Sequence, residues 1–307
     1  MRCIRSGAPL LLVVLLVGCA GTRPRTPATG TAGGTLAAAG SAAAGSSAAA
    51  PVDDVLLPQH ARYRDPHDSG PPEPPADIAA LPEPVPHPEP RSRFGNKSPY
   101  SVRGRTYHVL SSALGYDRRG IASWYGNKFQ GYMTSNFEKY DMYKFTAASK
   151  VLPLPSWARV TNLENGKSVI VRVNDRGPFV PNRIIDLSYA AAVRIGIWPR
   201  GTGLVRVQAI DPRHPQELPP SDVVKTPASH PAIWLQVGAY ADAANAERVV
   251  HRLRAAGLGP VQLSLVQVRG RKVRRVRLGP LKSVSSADRL SRKVARLGLP
   301  EPQVAVD

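Results

Sequence analysis

The stretch Val169-Ile-Val-Arg-Val-Asn-Asp-Arg-Gly-Pro-Phe179 brings an alternating strand to an acid, a base and a forced turn. Gly177 tolerates backbone angles closed to other residues, and Pro178 cannot continue a ladder, so Asp175 and Arg176 sit at a sharp corner. A carboxyl fixed there either caps the turn, as Asx-turns do, or is presented as an acid to something outside. Residue type leaves both open. A neighbouring cation lowers a carboxyl pKa and opposes service as an acid near neutrality, so Arg176 is expected to point away or to order the turn.

The elements that must hold this corner span about residues 98–212. Alternation predicts strands at 105–110, 120–125, 157–161, 168–173 and 204–210, and Asn165-Gly166 between two of them is a hairpin signal. Residues 186–195 read as a short helix with Ser188 as N-cap and Gly196 as its stop. This many short strands in one segment predict a small β-barrel. Trp124, Tyr125 and Phe129 either line a cleft in it or fill its core.

A second pattern follows a Pro/Ser-containing linker at 213–231. From 232 to 307 the order is strand, helix, two strands, helix, strand, which predicts one sheet with two helices on one face. Asp242 is expected to cap the first helix, and Ser285-Ser-Ala-Asp288 has capping-box spacing for the second.

At the other end, Arg2 and Arg5 precede an apolar run, Pro9 to Gly18, too short to span a bilayer. It ends in Leu16-Val-Gly-Cys19, which resembles a bacterial lipobox: residues 1–18 would be a lipoprotein signal peptide and Cys19 the acylated residue. Cys3 would be removed, leaving no thiol pair for a disulfide. Ala20 after the cysteine favours the outer membrane by resemblance to sorted lipoproteins. Residues 19–97 are Ala/Gly/Ser-rich and then Pro-rich, without apolar periodicity, and are expected to form a disordered, lipid-anchored tether. His60, His67 and His87 lie there singly, not at ligand spacing, so no metal or other cofactor is expected.

Gly120-Ile-Ala-Ser-Trp-Tyr-Gly126, Thr146-Ala-Ala148, Val160-Thr-Asn162, Asn174-Asp-Arg-Gly-Pro-Phe179 and Arg183-Ile-Ile-Asp-Leu-Ser188 together resemble the rare lipoprotein A (RlpA) family across the whole first domain. The resemblance implies a double-psi β-barrel and a lytic transglycosylase. Such an enzyme cleaves the MurNAc–GlcNAc β-1,4 bond of peptidoglycan without water, leaving a 1,6-anhydro end, and prefers strands stripped of stem peptides. That reaction protonates the leaving oxygen and then takes a proton from the muramyl C6 hydroxyl, so one carboxyl can serve both steps. The family likeness assigns this to Asp175, with Glu138 as a second carboxylate; Asp186 also matches, and its place before the predicted helix favours a structural role. Trp124, Tyr125, Ser149 and Arg176 are the expected substrate contacts.

Two departures stand out. The family's Asn-Gly-Glu is Asn136-Phe137-Glu138 here, and its Thr-Ala-Ala-His is Thr146-Ala-Ala-Ser149. A serine cannot carry charge or shuttle a proton near neutrality, which leaves a glycan binder that does not cut as the alternative to an enzyme. Lys139 and Lys150 are the nearby cations that can compensate. In the second domain Gln236-Val-Gly-Ala-Tyr240 and Val276-Arg-Leu-Gly-Pro-Leu281 resemble the SPOR family, which binds denuded septal glycan on its open sheet face. Gln236 and Tyr240 match its binding strand.

The net charge of +19 suits anionic peptidoglycan and lipid. The basic run 269–277 on this strand order also evokes an RNA-binding sheet, but a lipobox and the absence of stacking aromatics argue against nucleic acid. Expected partners are therefore glycan strands, outer-membrane lipid through Cys19 and division proteins at the septum.

Overall fold

The computed structural model describes residue 53, residues 57–75 with breaks at 58, 64, 66 and 72, residues 77–215, residue 217, and residues 231–306 except Arg269. The expected signal peptide, Cys19, the first part of the tether and most of the second linker lie outside the described residues.

A short hairpin, β1 (Tyr100–Val102) and β2 (Arg105–Tyr107), leads into the barrel. Strands β3 (Asp117–Tyr125), β4 (Thr146–Ser149), β5 (Ser156–Asn162), β6 (Ser168–Asp175), β7 (Arg183–Ser188) and β8 (Thr202–Ile210) close in the order β3-β7-β4-β6-β5-β8. The β5–β6 hairpin turns at Asn165-Gly166, with Gly166 at φ 72. The parallel pairs β3–β7 and β4–β6 cross the barrel and bring the ends of β6 and β7 to either side of β4. Leu187, Val171, Val173, Val160 and Ala147 fill the interior without exposure. β4 is too short and too rich in alanine to announce itself; pairing on both edges makes it a strand.

The helix expected from 186 is shorter. Helix α2 spans Tyr189–Arg194, and Ser188 caps it by accepting from the Ala191 N–H at 3.3 Å. Asp186 therefore belongs to β7, two residues ahead of the cap.

The disordered tether expected through residue 97 is corrected over its later part. Arg62, at the end of helix α1 (Gln59–Arg62), donates to the Met133 carbonyl at 2.8 Å, and Tyr63 packs edge-on against Phe129 and Tyr132. The Asp68 carboxylate accepts from the Gly126 and Lys128 N–H groups, Ile78 is only 2% exposed, and Glu89 pairs with Arg172 at 2.7 Å. The Trp157 indole donates to the His87 carbonyl at 3.0 Å, and Asn96 exchanges hydrogen bonds with the Leu154 backbone. Pro-rich composition marks a chain that forms no long helix or sheet, yet polyproline segments can still pack through single side chains.

The C-terminal domain has the expected order: β9 (Ile233–Tyr240), α3 (Ala243–Ala255), β10 (Val261–Val268), β11 (Arg271–Leu281), α4 (Val284–Arg296) and β12 (Gln303–Val306). Its sheet runs β10-β11-β9-β12, antiparallel throughout. Asp242 caps α3, whereas α4 is capped by Ser283, two residues before the expected box. Leu235, Val237, Val276 and Leu278 meet Ala246, Leu253, Ala287 and Val294 of the helices. This core continues into the barrel through Ile121, Leu163 and Leu204, so the two domains share an apolar seam. Polar bonds border it: Arg183 pairs with Asp288 at 2.6 Å, Asn182 donates to Asp288 and Ser291, and Arg105 pairs with Glu301.

Candidate active site

Ala148 of β4 is in register with Asp175 of β6 on one side and Asp186 of β7 on the other. Both carboxyls line a cavity of about 630 Å³, together with Tyr125, Phe129, Ser135 and Phe137. Asp175 Oδ1 accepts from the Ser135 N–H at 2.8 Å, the Ser135 hydroxyl at 2.6 Å and the Arg176 N–H at 2.7 Å. Its other oxygen takes no hydrogen bond among the described residues and faces the cavity. One oxygen is held and the other is presented. Burial raises the Asp175 pKa, against the hydrogen bonds from Ser135 and Arg176 and the more distant Arg62, and burial wins.

Asp186 is pushed up to about 7 by burial against a bond from Ser123, with the charges of Asp68 and Asp175 adding to the rise. Its Oδ1 is buried without a hydrogen-bond partner among the described residues.

The Arg176 guanidinium turns away from Asp175. It donates to the carbonyls of Gly95 (2.7 Å), Ser149 (2.9 Å) and Leu152, and to Asn96 Oδ1 at 3.2 Å. It ties the corner at Gly177, whose φ of 147 only glycine adopts freely, to the chain on two sides.

Ser135 sits in a tight loop. Met133 and Lys139 bridge, the Thr134 N–H donates to the Glu138 carbonyl, and the Phe137 N–H donates to that of Thr134 at 2.9 Å. Such loops put a left-handed residue, normally glycine, next to last. Phe137 fills that place at φ 65, a conformation that costs a side chain-bearing residue about 1–2 kcal/mol.

A family profile described as "Lytic transglycolase" matches residues 117–209, and one described as "SPOR domain" matches residues 229–304. Endolytic peptidoglycan transglycosylase RlpA of Pseudomonas aeruginosa strain UCBPP-PA14 is 39% identical over 294 residues, 78% of this chain and 85% of that protein. The chain belongs to the RlpA family. The protein of the same name from Vibrio cholerae serotype O1 is 51% identical over 149 residues, 48% of this chain and 56% of that one. The crystal structure of the RlpA SPOR domain from Pseudomonas aeruginosa covers 24% of this chain and 96% of its own, at 32% identity and TM-score 0.23.

Against this RlpA frame the expected site residues separate. Glu138 does not join Asp175: it lies with Lys139 and Arg172 in a neighbouring hollow. Burial would raise its pKa, but hydrogen bonds from Arg172, Asn174 and Asn136 outweigh it and hold the carboxyl below the usual range. Along β6 alternate residues face opposite ways, so Asn174 reaches Glu138 while Asp175 reaches Ser135.

Ser149, where RlpA relatives are expected to carry histidine, is 1% exposed, and its hydroxyl accepts from the N–H groups of Val151 and Leu152. It orders a turn and does not line the cavity. Lys150 donates to the Arg183 carbonyl at 2.6 Å and Lys139 lines the other hollow, so neither stands in for a histidine beside Asp175. Trp124 packs edge-on against Tyr189 outside the cavity. Tyr125 is buried on Tyr140, with rings 4.2 Å apart, and forms the cavity floor.

In the SPOR domain Gln236 is on the sheet face away from the helices, in a row running Gln303, Gln236, Arg277, Gln262 across all four strands. The Tyr240 ring lies over Gly238, in the space a Cβ there would take, so a larger residue at 238 would displace the ring.

The sequence named Asp186 only in a structural role and Phe137 only as a departure from the family, and it did not point to Ser135. The signal for Asp186 was the apolar-polar alternation 185–188, which continues a strand to the cap.

Proposed function

We propose that this chain is an endolytic peptidoglycan lytic transglycosylase. The observation that carries the reading is Asp175: one carboxylate oxygen anchored by three donors, the other open to the cavity, and a pKa raised by burial. A raised pKa keeps the proton available for the glycosidic oxygen as the C1–O bond breaks and an oxocarbenium-like centre develops. The resulting carboxylate then accepts the proton of the muramyl C6 hydroxyl as that oxygen bonds to C1, closing the 1,6-anhydro ring and regenerating the acid. Asp186, in the same cavity, takes the second-carboxyl place first given to Glu138: it carries a proton near neutrality and, as long as it is neutral, adds no negative charge beside Asp175.

The SPOR row around Gln236 supports holding of a glycan strand. On this reading strands free of stem peptides are preferred, and Cys19 is acylated and anchors the chain in the outer membrane. The chain then works in the envelope at the septum, beside division proteins.

The test uses purified sacculi treated to remove stem peptides. Wild-type chain is expected to release anhydro-ended fragments, and Asp175→Asn to release none while still binding. No release by wild type at any dose sinks the enzyme and leaves a glycan-binding lipoprotein.

A further inference from the structure

We propose that Phe94 and Phe137 form an aromatic subsite at the mouth of the Asp175 cavity, seating the apolar face of one pyranose ring of the glycan; this rests on the transglycosylase reading. The rings lie 4.3 Å apart at 38° and are 44% and 48% exposed. The chain's three other phenylalanines are buried or half-buried. Phe137 lines the cavity that holds Asp175. It does so from a left-handed backbone position where glycine fits without strain, and half of its ring gains nothing from folding. An exposed aromatic held against local backbone preference points to a ligand.

Phe94 comes from a distant part of the chain, yet the same anchor positions both. Arg176 donates to the Gly95 carbonyl and Asn96 while its own N–H holds Asp175, so the platform and the reacting carboxyl share one fixed frame. A pyranose with equatorial substituents exposes polarised C–H bonds on its face, which complement the electron-rich face of an aromatic ring. Lys97 and Arg103, exposed and without an ion pair among the described residues, also line this cavity. They suit the lactyl carboxylate that a peptide-free muramyl ring carries.

All five phenylalanines lie between residues 94 and 179, so a fluorophenylalanine label reports on the barrel even while the SPOR sheet holds glycan. Full-length Asp175→Asn chain carrying the label is titrated with a peptide-free GlcNAc–MurNAc hexasaccharide and followed by fluorine NMR. Phe94 and Phe137 signals, assigned by Phe94→Leu and Phe137→Leu, are expected to shift saturably while Phe145 stays still. In the active chain Phe94→Ala and Phe137→Gly are expected to raise KM about 3- to 10-fold with kcat within about twofold, and Phe137→Tyr to restore it. Shifts at Phe129 or Phe179 with Phe94 and Phe137 silent and KM unchanged overturn the subsite and leave the enzyme standing. No shift anywhere, with no anhydro ends from wild type, overturns both.

Discussion

Asp175 and Asp186 are each a register partner of Ala148, so two strands present carboxyls to one cavity across a single methyl group. Two strand spacings put their α-carbons about 10 Å apart, close enough in a buried site for the Asp175 charge to add to the rise at Asp186. Burial is the larger cause for both.

This has a consequence for stability. The Asp186 pKa is raised to about 7 from an ordinary carboxyl value of 3.8, so the folded state holds a proton that the unfolded chain has released between these limits. Its contribution is fully present below about pH 4 and is lost as pH rises through 7. Melting curves of Asp186→Asn are expected to fall less between pH 5 and 8 than those of wild type. Asp175 shifts in the same direction, so part of the slope remains. Parallel curves for the two proteins would mean that Asp186 is already ionised in the fold.

Glu138 makes the opposite case. Arg172 is forked between Glu138 and Glu89, at 2.6 and 2.7 Å, and a carboxylate so paired is a poor proton donor at neutral pH. Glu138→Gln is expected to keep kcat within a few-fold of wild type and to lose about 1 kcal/mol of stability or less, since the pair is partly solvated. Arg172→Ala is expected to cost more, because it leaves two carboxylates unpaired. A collapse of kcat in Glu138→Gln to the level of Asp175→Asn would return Glu138 to the chemistry.

The contrast shows what the sequence made legible. Barrel strands with clear alternation, the Asn165-Gly166 hairpin, the βαββαβ order and the Asp175 corner were all readable, because each is written in local residue pattern. β4 was not: four small residues become a strand only when β6 and β7 supply edges. Asp186 was misplaced by a helix boundary three residues off, which moved it from a cavity-facing strand to the start of a helix. Glu138 and Ser149 were assigned by family likeness, which does not say which face a side chain takes; Asn174 and the Val151 amide decide that. The packing of residues 59–97 was hidden because it depends on scattered contacts such as Ile78 and Glu89 rather than on periodicity.

Phe137→Gly separates stability from binding. Relief of the left-handed strain returns about 1–2 kcal/mol. Against this, glycine loses about 0.5–1 kcal/mol to unfolded-chain entropy, and the Phe94 contact about 0.5–1.5 kcal/mol. The balance runs from about 1.5 kcal/mol of net loss to about 1 kcal/mol of net gain, centred near zero, so the variant is expected to melt near wild type in calorimetry. A loss well above that would show that Phe137 supports the fold through contacts other than Phe94.

The last relationship is between domains. Arg183 is buried and donates to Asp288 of α4 through both terminal nitrogens, at 3.2 and 2.6 Å, and Asn182 adds a third bond. Burial would raise the Asp288 pKa, but Arg183 and Asn182 outweigh it and hold the carboxyl low. A depressed carboxyl contributes stability above its unfolded pKa, near 4, and loses it as pH falls through the lower folded value. Asp288→Asn is therefore expected to lose about 1.5–3 kcal/mol at pH 7, the range for a charged hydrogen bond, and the loss is expected to shrink toward pH 3. Calorimetry at the two pH values reads this directly, and hydrogen exchange at the Arg183 amide locates it. A deficit of equal size at both pH values would show that the apolar seam of Ile121, Leu163 and Leu204, rather than the Arg183–Asp288 charge pair, responds to the substitution.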